Sequence, residues 1–174
     1  GDGDTFLEDY YSISIGDITA TAWHSANFNS DDGENFWCGD ENIVGYKDKW
    51  IQFMDTPSIL LGIGGKVSAS IYYNIEGPFD ALGQHAKVEG SCTDGFDSAN
   101  IRISSDGGST WALLDDSSHP YDFDCGYGWI YNNDKYETGG SLHHLAKGWG
   151  GESGGWVNFS AELDEYAGED IIIR

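Results

Sequence analysis

The chain has 174 residues, enough for one domain with a sizeable core. Its 30 acidic and 8 basic residues give a formal net charge of -22, which argues against nucleic acid or an anionic membrane as a partner, because phosphate contacts need lysine and arginine. The 25 glycines and the 14% aromatic share favour a β-rich domain with long loops. Two interpretations of the acidity stay open: a solvated surface suited to a salty or extracellular setting, or aspartates that bind Ca²⁺.

The first third of the chain predicts short strands separated by a long loop. We interpret residues 1–5 as a linker and residues 6–174 as a single module. Alternation and apolar content predict strands over residues 6–11, 18–23, 50–54 and 59–61. Residues 24–48 are predicted to be a long polar and aromatic loop, and loops of this length are more often functional or ion-stabilised than slack.

Two stretches in the middle of the chain carry the clearest β pattern. Residues 66–76 (KVSASIYYNIE) alternate strictly, with Val67 on one face and Tyr72 on the other. Residues 99–114 (ANIRISSDGGSTWALL) read as strand, tight turn and strand, because aspartate, serine and glycine supply the turn chemistry. Long loops are predicted before and after this hairpin, over residues 77–98 and 115–148.

The last residues predict one more strand pair. Residues 156–159 form a strand, residues 161–166 form at most one helical turn closed by Gly168, and residues 171–173 begin a strand whose continuation is missing. We therefore expect an all-β, antiparallel jelly-roll β-sandwich with long loops that lacks its last strand or strands. We also expect an open sheet edge at Arg174 and a chain that is a piece of a longer secreted protein.

The three cysteines contain no CxxC pair, which makes a zinc ribbon a poor interpretation. One disulfide and one free thiol is the simplest oxidised arrangement. We predict a Cys92–Cys125 disulfide, because both residues lie in Asp/Gly-rich loops that flank the central hairpin. Other pairings stay open, because connectivity does not follow from sequence.

Three separated segments together resemble a known family. They are residues 36–40 (FWCGD), residues 101–111 (IRISSDGGSTW) and residues 154–160 (GGWVNFS), the first followed by Gly45, Tyr46 and Trp50 and the last by residues 166–168 and 171–174. In this order they resemble the MAM-like, jelly-roll β-sandwich domain that follows the catalytic domain in immune inhibitor A-type (M6) secreted metallopeptidases. Similar modules occur in other bacterial surface and secreted proteins.

The resemblance implies a secreted, non-catalytic module with a structural Ca²⁺. By position, it implies Glu8 or Asp9, together with Asp97, as ion ligands. Members of the family usually continue past the last strand into an aspartate-containing strand that this chain lacks.

Three motifs that suggest enzymes have stronger non-catalytic interpretations. Residues 104–111 fit a sialidase Asp-box, but the motif occurs once and only Arg102 and Arg174 are available to clamp a carboxylate. Residues 151–155 fit G-x-S-x-G, but no histidine follows Ser153 and the next residues read as strand. The pair His143–His144 is not part of an HExxH motif. We therefore expect that the chain is not an enzyme.

Two functions remain, with different partners. In the first, the chain is an extracellular binding or adhesion module whose aromatic side chains stack on a glycan or contact a surface protein. The candidate residues are Trp37, Trp129, Tyr131 and Trp149, with Trp23 beside them, although indoles that plug the ends of a sandwich explain any single one. In the second, the chain is a structural or assembly subunit of a surface layer or filament. A minor third interpretation is an accessory domain of a secreted metallopeptidase that contacts other domains of its parent chain.

Overall fold

The computed structural model describes residues 19–20, 23–27, 30, 33–40, 42–46, 52–77, 97–115, 117–123 and 147–174. The described strands, in chain order, are β1 (Thr19–Ala20), β2 (Trp23–Ala26), β3 (Asn35–Cys38), β4 (Met54–Asp55), β5 (Ile59–Leu60), β6 (Lys66–Ile71), β7 (Arg102–Ser104), β8 (Ala112–Leu113), β9 (Val157–Glu162) and β10 (Asp170–Ile173). A single 3₁₀ turn, Asp164–Tyr166, joins β9 to β10 within the described part of the chain. The predicted all-β class is confirmed. The predicted strand over residues 6–11 lies outside the described residues.

Every described strand pair is antiparallel. The four-stranded sheet has the order β5–β10–β7–β8, and the two-stranded pairs are β1–β4, β2–β3 and β6–β9. In the part of the chain that the structure covers, no helix is long and apolar enough to cross a membrane.

One apolar core joins the four-stranded sheet to the β6–β9 pair. Ile103 and Ile171 from the sheet pack with Phe159, Ala161 and Leu163, and all five side chains are buried. The alternation predicted for residues 66–76 is confirmed over residues 66–73, because Val67, Ala69, Ile71 and Tyr73 are half-buried while the residues between them are exposed. Of these four, Val67, Ile71 and Tyr73 pack against this core. The outward residues of β6 and β9 therefore form a solvent-facing surface.

The interpretation of residues 24–48 as one long loop is wrong. Strands β2 and β3 pair over four residues in this stretch, from Trp23 opposite Cys38 to Ala26 opposite Asn35. The Ser25 hydroxyl donates to the Glu34 carboxylate at 2.7 Å, and the rings of His24 and Trp37 meet edge to face. Cross-strand side-chain pairs of this kind stabilise a hairpin that is too polar to show a clear apolar alternation.

The open sheet edge expected at Arg174 is also wrong. Strand β10 lies between two partners, because Ile171 pairs with Ile59 of β5 and Ile173 pairs with Ile103 of β7. The backbone of Arg174 exchanges two hydrogen bonds of 2.8 Å with Arg102. On its other side β10 bonds Thr56, through the backbone and through the Thr56 hydroxyl.

The central hairpin forms as predicted and is held by side chains in its turn. The Asp106 carboxylate accepts hydrogen bonds from the backbone N–H and the hydroxyl of Thr110, at 2.8 and 2.7 Å, and from the Ser104 hydroxyl at 2.8 Å. These bonds to the ionised form lower the pKa of Asp106 to about 2, with the Thr110 bonds as the largest cause. Gly107 and Gly108 take positive φ values of 72° and 88°, which glycine adopts without strain.

Candidate functional site

Asp97 is the one predicted ion ligand within the described residues, and it is bound to a tyrosine. The Tyr46 hydroxyl donates to Asp97 Oδ2 at 2.6 Å and accepts a bond from the Glu76 backbone N–H at 2.7 Å. Burial first, and then the bond to Asp97, raise the pKa of Tyr46 above its ordinary range. The tyrosine therefore stays a neutral donor to a half-buried carboxylate at neutral pH.

The described residues do not make a complete calcium site. No group of three His, Cys, Asp or Glu side chains among them is placed to hold an ion. Calcium takes about six to eight oxygen ligands, and Asp97 supplies few of them. Glu8 and Asp9, the other ligands implied by the family resemblance, lie outside the described residues. The calcium site implied by the family resemblance, with Glu8 or Asp9 beside Asp97, therefore stays a prediction.

A second tyrosine–carboxylate pair links the segment that follows β6 to two later segments of the chain. The Tyr73 hydroxyl donates to Asp122 Oδ2 at 2.9 Å, and the Gly150 backbone N–H donates to the same oxygen at 3.1 Å. Burial is the largest cause that raises the pKa of Tyr73. This pair ties three separate chain segments together and holds Trp149 against the core.

The predicted aromatic platform does not form as expected where the structure describes it. Trp149 is 2% exposed, its Nε1 donates to the Pro120 carbonyl at 3.1 Å, and its ring packs edge to face on Phe159. Its assignment as a ligand-binding ring is therefore corrected to a core role, because the indole is part of the buried apolar cluster. Trp37 is half-buried against His24, with ring centroids 5.4 Å apart. Trp129 and Tyr131 lie outside the described residues.

Of the three cysteines, the structure describes Cys38, which has a free thiol. Burial raises the pKa of that thiol to about 11, so it is protonated and unreactive at neutral pH. Both cysteines of the predicted disulfide, Cys92 and Cys125, lie outside the described residues.

Two exposed aromatic side chains, not singled out by the sequence analysis, lie side by side on the β6–β9 pair. Tyr72 is 37% exposed and Trp156 is 38% exposed. Their ring centroids are 5.9 Å apart and their planes are tilted by 52°. The antiparallel register places them opposite each other, one residue beyond Ile71 opposite Val157. The sequence did carry a signal for this pair: each strand has one large aromatic residue among the serines and asparagine of its polar face.

Polar side chains continue from this aromatic pair along both strands. The register places Ser70 opposite Asn158, Ser68 opposite Ser160 and Lys66 opposite Glu162. We call this surface the β6–β9 outer face, made of Lys66, Ser68, Ser70, Tyr72, Trp156, Asn158, Ser160 and Glu162. Its one lysine and one glutamate balance, so these eight residues are neutral together in a chain of net charge -22, and the exposed Glu152 lies just beyond their aromatic end, opposite Asn74.

The edge of β9 next to this face is fixed by Ser118. The Ser118 backbone N–H donates to the Ser160 carbonyl at 2.8 Å, and the Ser160 N–H donates back to the Ser118 hydroxyl at 2.8 Å. The β6–β9 outer face is therefore supported by strand pairing on one side of β9 and by these bonds on the other. A surface held in this way is preorganised, which lowers the entropy cost of binding.

Ser153, the serine of the G-x-S-x-G match, makes its hydrogen bonds with backbone groups. The Ser153 hydroxyl accepts a bond from the Tyr73 N–H at 3.1 Å and lies 2.8 Å from the Gly155 carbonyl, to which it donates. Gly154 and Gly155 both have positive φ values. Ser153 therefore links the glycine turn that precedes β9 to the segment that follows β6.

Comparisons with protein-family models, curated proteins and solved structures found no match to this chain. The resemblance to the MAM-like domain stays a prediction that rests on its three motifs.

Proposed function

We propose that this chain is a non-catalytic, extracellular accessory module that binds a glycan through the β6–β9 outer face. The observation that supports the proposal is the exposed pair Tyr72 and Trp156 at one end of a row of hydroxyl and amide groups. Aromatic rings present flat apolar area at low conformational cost, and serine and asparagine exchange hydrogen bonds with sugar hydroxyls. The jelly-roll sandwich and the secreted or cell-surface location belong to the same proposal.

A structural Ca²⁺ is part of the proposed module. Its support is the family resemblance and the half-buried carboxylate of Asp97. A bound ion would stabilise the folded chain by mass action, because it binds the native state and not the unfolded one. We assign this ion a structural role, because the β6–β9 outer face, with one carboxylate, has too few oxygen ligands to hold calcium at the glycan.

An assembly subunit is the second candidate function. It is favoured by apolar exposure at β5, which is an end strand of the described four-stranded sheet. Leu60 is 70% exposed and Ile63 is 97% exposed, so this edge carries apolar side chains that another copy could cover. Sedimentation at micromolar concentration tests it: self-association that Ile63→Ser abolishes supports assembly, and a strict monomer contradicts it.

A glycan microarray probed with the labelled chain tests the binding function. We expect wild type to bind a subset of glycans, Trp156→Ala to bind them more weakly and Phe36→Ala to bind them as wild type does. Phe36 is a matched control, because it is 37% exposed and belongs to β3, which pairs with β2 and not with β6 or β9. Absence of binding by wild type, or equal binding by Trp156→Ala, contradicts the proposal.

A further inference from the structure

We infer that the ligand of the β6–β9 outer face is a single, neutral, soluble glycan chain, and neither a crystalline polysaccharide surface nor an anionic glycan. The inference rests on the proposed function and adds the class of ligand. Three features of the face carry it: the tilt between its two rings, its charge and its length.

The tilt between the rings does not match a flat surface. A crystalline polysaccharide presents sugar rings in one plane, and rings that stack on it must be coplanar. The planes of Tyr72 and Trp156 differ by 52°, so both rings cannot lie flat on such a plane together. Two successive sugars of a free chain are rotated relative to each other, so each of the two tilted aromatic rings can stack on one of them.

The charge of the face and of the chain selects against anions. Lys66 and Glu162 lie opposite each other at the far end of the face, where their charges balance. Beyond the aromatic pair, at the other end, the exposed Glu152 lies opposite Asn74, and its carboxylate disfavours an anionic ligand. The chain as a whole carries a formal charge of -22, which repels uronic or sialic acids at a distance. A neutral sugar carries no such penalty and binds by stacking and hydrogen bonds.

The length of the face fits a short run of sugars. Strands rise about 3.3 Å per residue, so the four steps from Trp156 to Ser160 span about 13 Å, the length of two to three sugar rings. Along this length Asn158 and Ser70 lie next to the aromatic pair, followed by Ser68 and Ser160. Stacking thus takes place at one end, and hydrogen bonding to hydroxyls continues along the strands.

The test compares three kinds of probe at physiological salt. Titration calorimetry measures binding to soluble neutral polysaccharides (galactomannan, hydroxyethylcellulose and a soluble β-1,3-glucan) and to polygalacturonate. Pull-down measures binding to microcrystalline cellulose and crystalline chitin. We expect binding to a soluble neutral polysaccharide only, with the dissociation constant raised roughly fivefold to tenfold by Trp156→Ala and by Tyr72→Ala, and unchanged by Phe36→Ala. Melting temperatures of the variants identify any that fail to fold.

The outcomes separate this inference from the function on which it rests. Trp156-dependent binding to crystalline cellulose, to chitin or to polygalacturonate overturns the ligand class and leaves glycan binding in place. Absence of binding to every probe overturns both. If Trp156→Ala unfolds, Tyr72→Ala decides: unchanged affinity in that variant overturns the inference.

Discussion

Arg174 and Asp55 form a two-pronged ion pair, with Nε to Oδ1 and Nη2 to Oδ2 both at 2.7 Å. The guanidinium also lies 3.9 Å from the ring centre of Trp111 and 4.1 Å from that of Phe53. Both charged side chains are about one-sixth exposed, at 16% and 15%. The pair therefore ties β4 to the end of β10, and its guanidinium packs on Trp111, just before β8 of the central hairpin.

Arg174→Lys is expected to destabilise the fold by about 1.5–3 kcal/mol, because lysine cannot make the two-pronged pair or stack between the rings. Urea unfolding measures the change. The control is Asp115→Asn, which breaks the more exposed ion pair with Lys147 and is expected to cost less than about 1 kcal/mol. Equal effects of the two substitutions would contradict a special role for Arg174.

Asp106→Ala is expected to lower the melting temperature at pH 7, because three donors around the hairpin turn lose their acceptor. The folded-state pKa of Asp106 is lowered from 3.8 to about 2, so its contribution is complete above pH 3.8 and is lost as the pH falls to about 2. The difference in melting temperature between wild type and Asp106→Ala should therefore shrink below about pH 4. Ser105→Ala, in the same turn, is the control. A difference in melting temperature that stays constant down to pH 2 would contradict the lowered pKa of Asp106.

Gly148→Ala is expected to destabilise the fold by about 1–3 kcal/mol through overpacking. A methyl group there would lie 1.8 Å from the Ser98 hydroxyl oxygen and 3.0 Å from the Ala99 carbonyl oxygen. Gly62→Ala is the control, because nothing lies within 4 Å of its added carbon. The double substitution Gly148→Ala with Ser98→Gly should recover part of the loss in thermal unfolding, and no recovery would point to another cause.

Removal of calcium is expected to lower the melting temperature of the folded chain. Asp97→Asn should abolish the difference between samples with calcium and with chelator. Tyr46→Phe removes the 2.6 Å bond to Asp97 and keeps the carboxylate, so it should retain that difference. If chelator leaves the melting temperature of the wild-type chain unchanged, the proposal of a structural calcium ion is contradicted.

The sequence predicted the elements whose pattern is local. The alternation of residues 66–76, the Asp106 turn and the Gly168 stop all have nearby causes, and each appears in the structure. Strands β2 and β3 escaped prediction because their contacts are cross-strand pairs such as His24 and Trp37, and not an apolar alternation. The partners of β10 are distant in sequence, so no local pattern could show that the edge at Arg174 is covered.

The candidate site was harder to predict for the same reason. Trp149 and Trp156 are seven positions apart in similar glycine-rich sequence, yet Trp149 is in the core and Trp156 is on the surface. Contacts with residues distant in sequence decide which of the two is buried. Trp149 pairs with Ala99, while Trp156 lies opposite Tyr72 on the β6–β9 outer face.

The most direct test of the central claim is an NMR titration of the tryptophan indole N–H resonances with the soluble neutral polysaccharide that binds. The Trp156 resonance is assigned as the one that Trp156→Phe removes. We predict that it shifts on binding while the resonances of the buried Trp111 and Trp149 do not move. A shift confined to another tryptophan, with Trp156 unchanged, would contradict binding at the β6–β9 outer face.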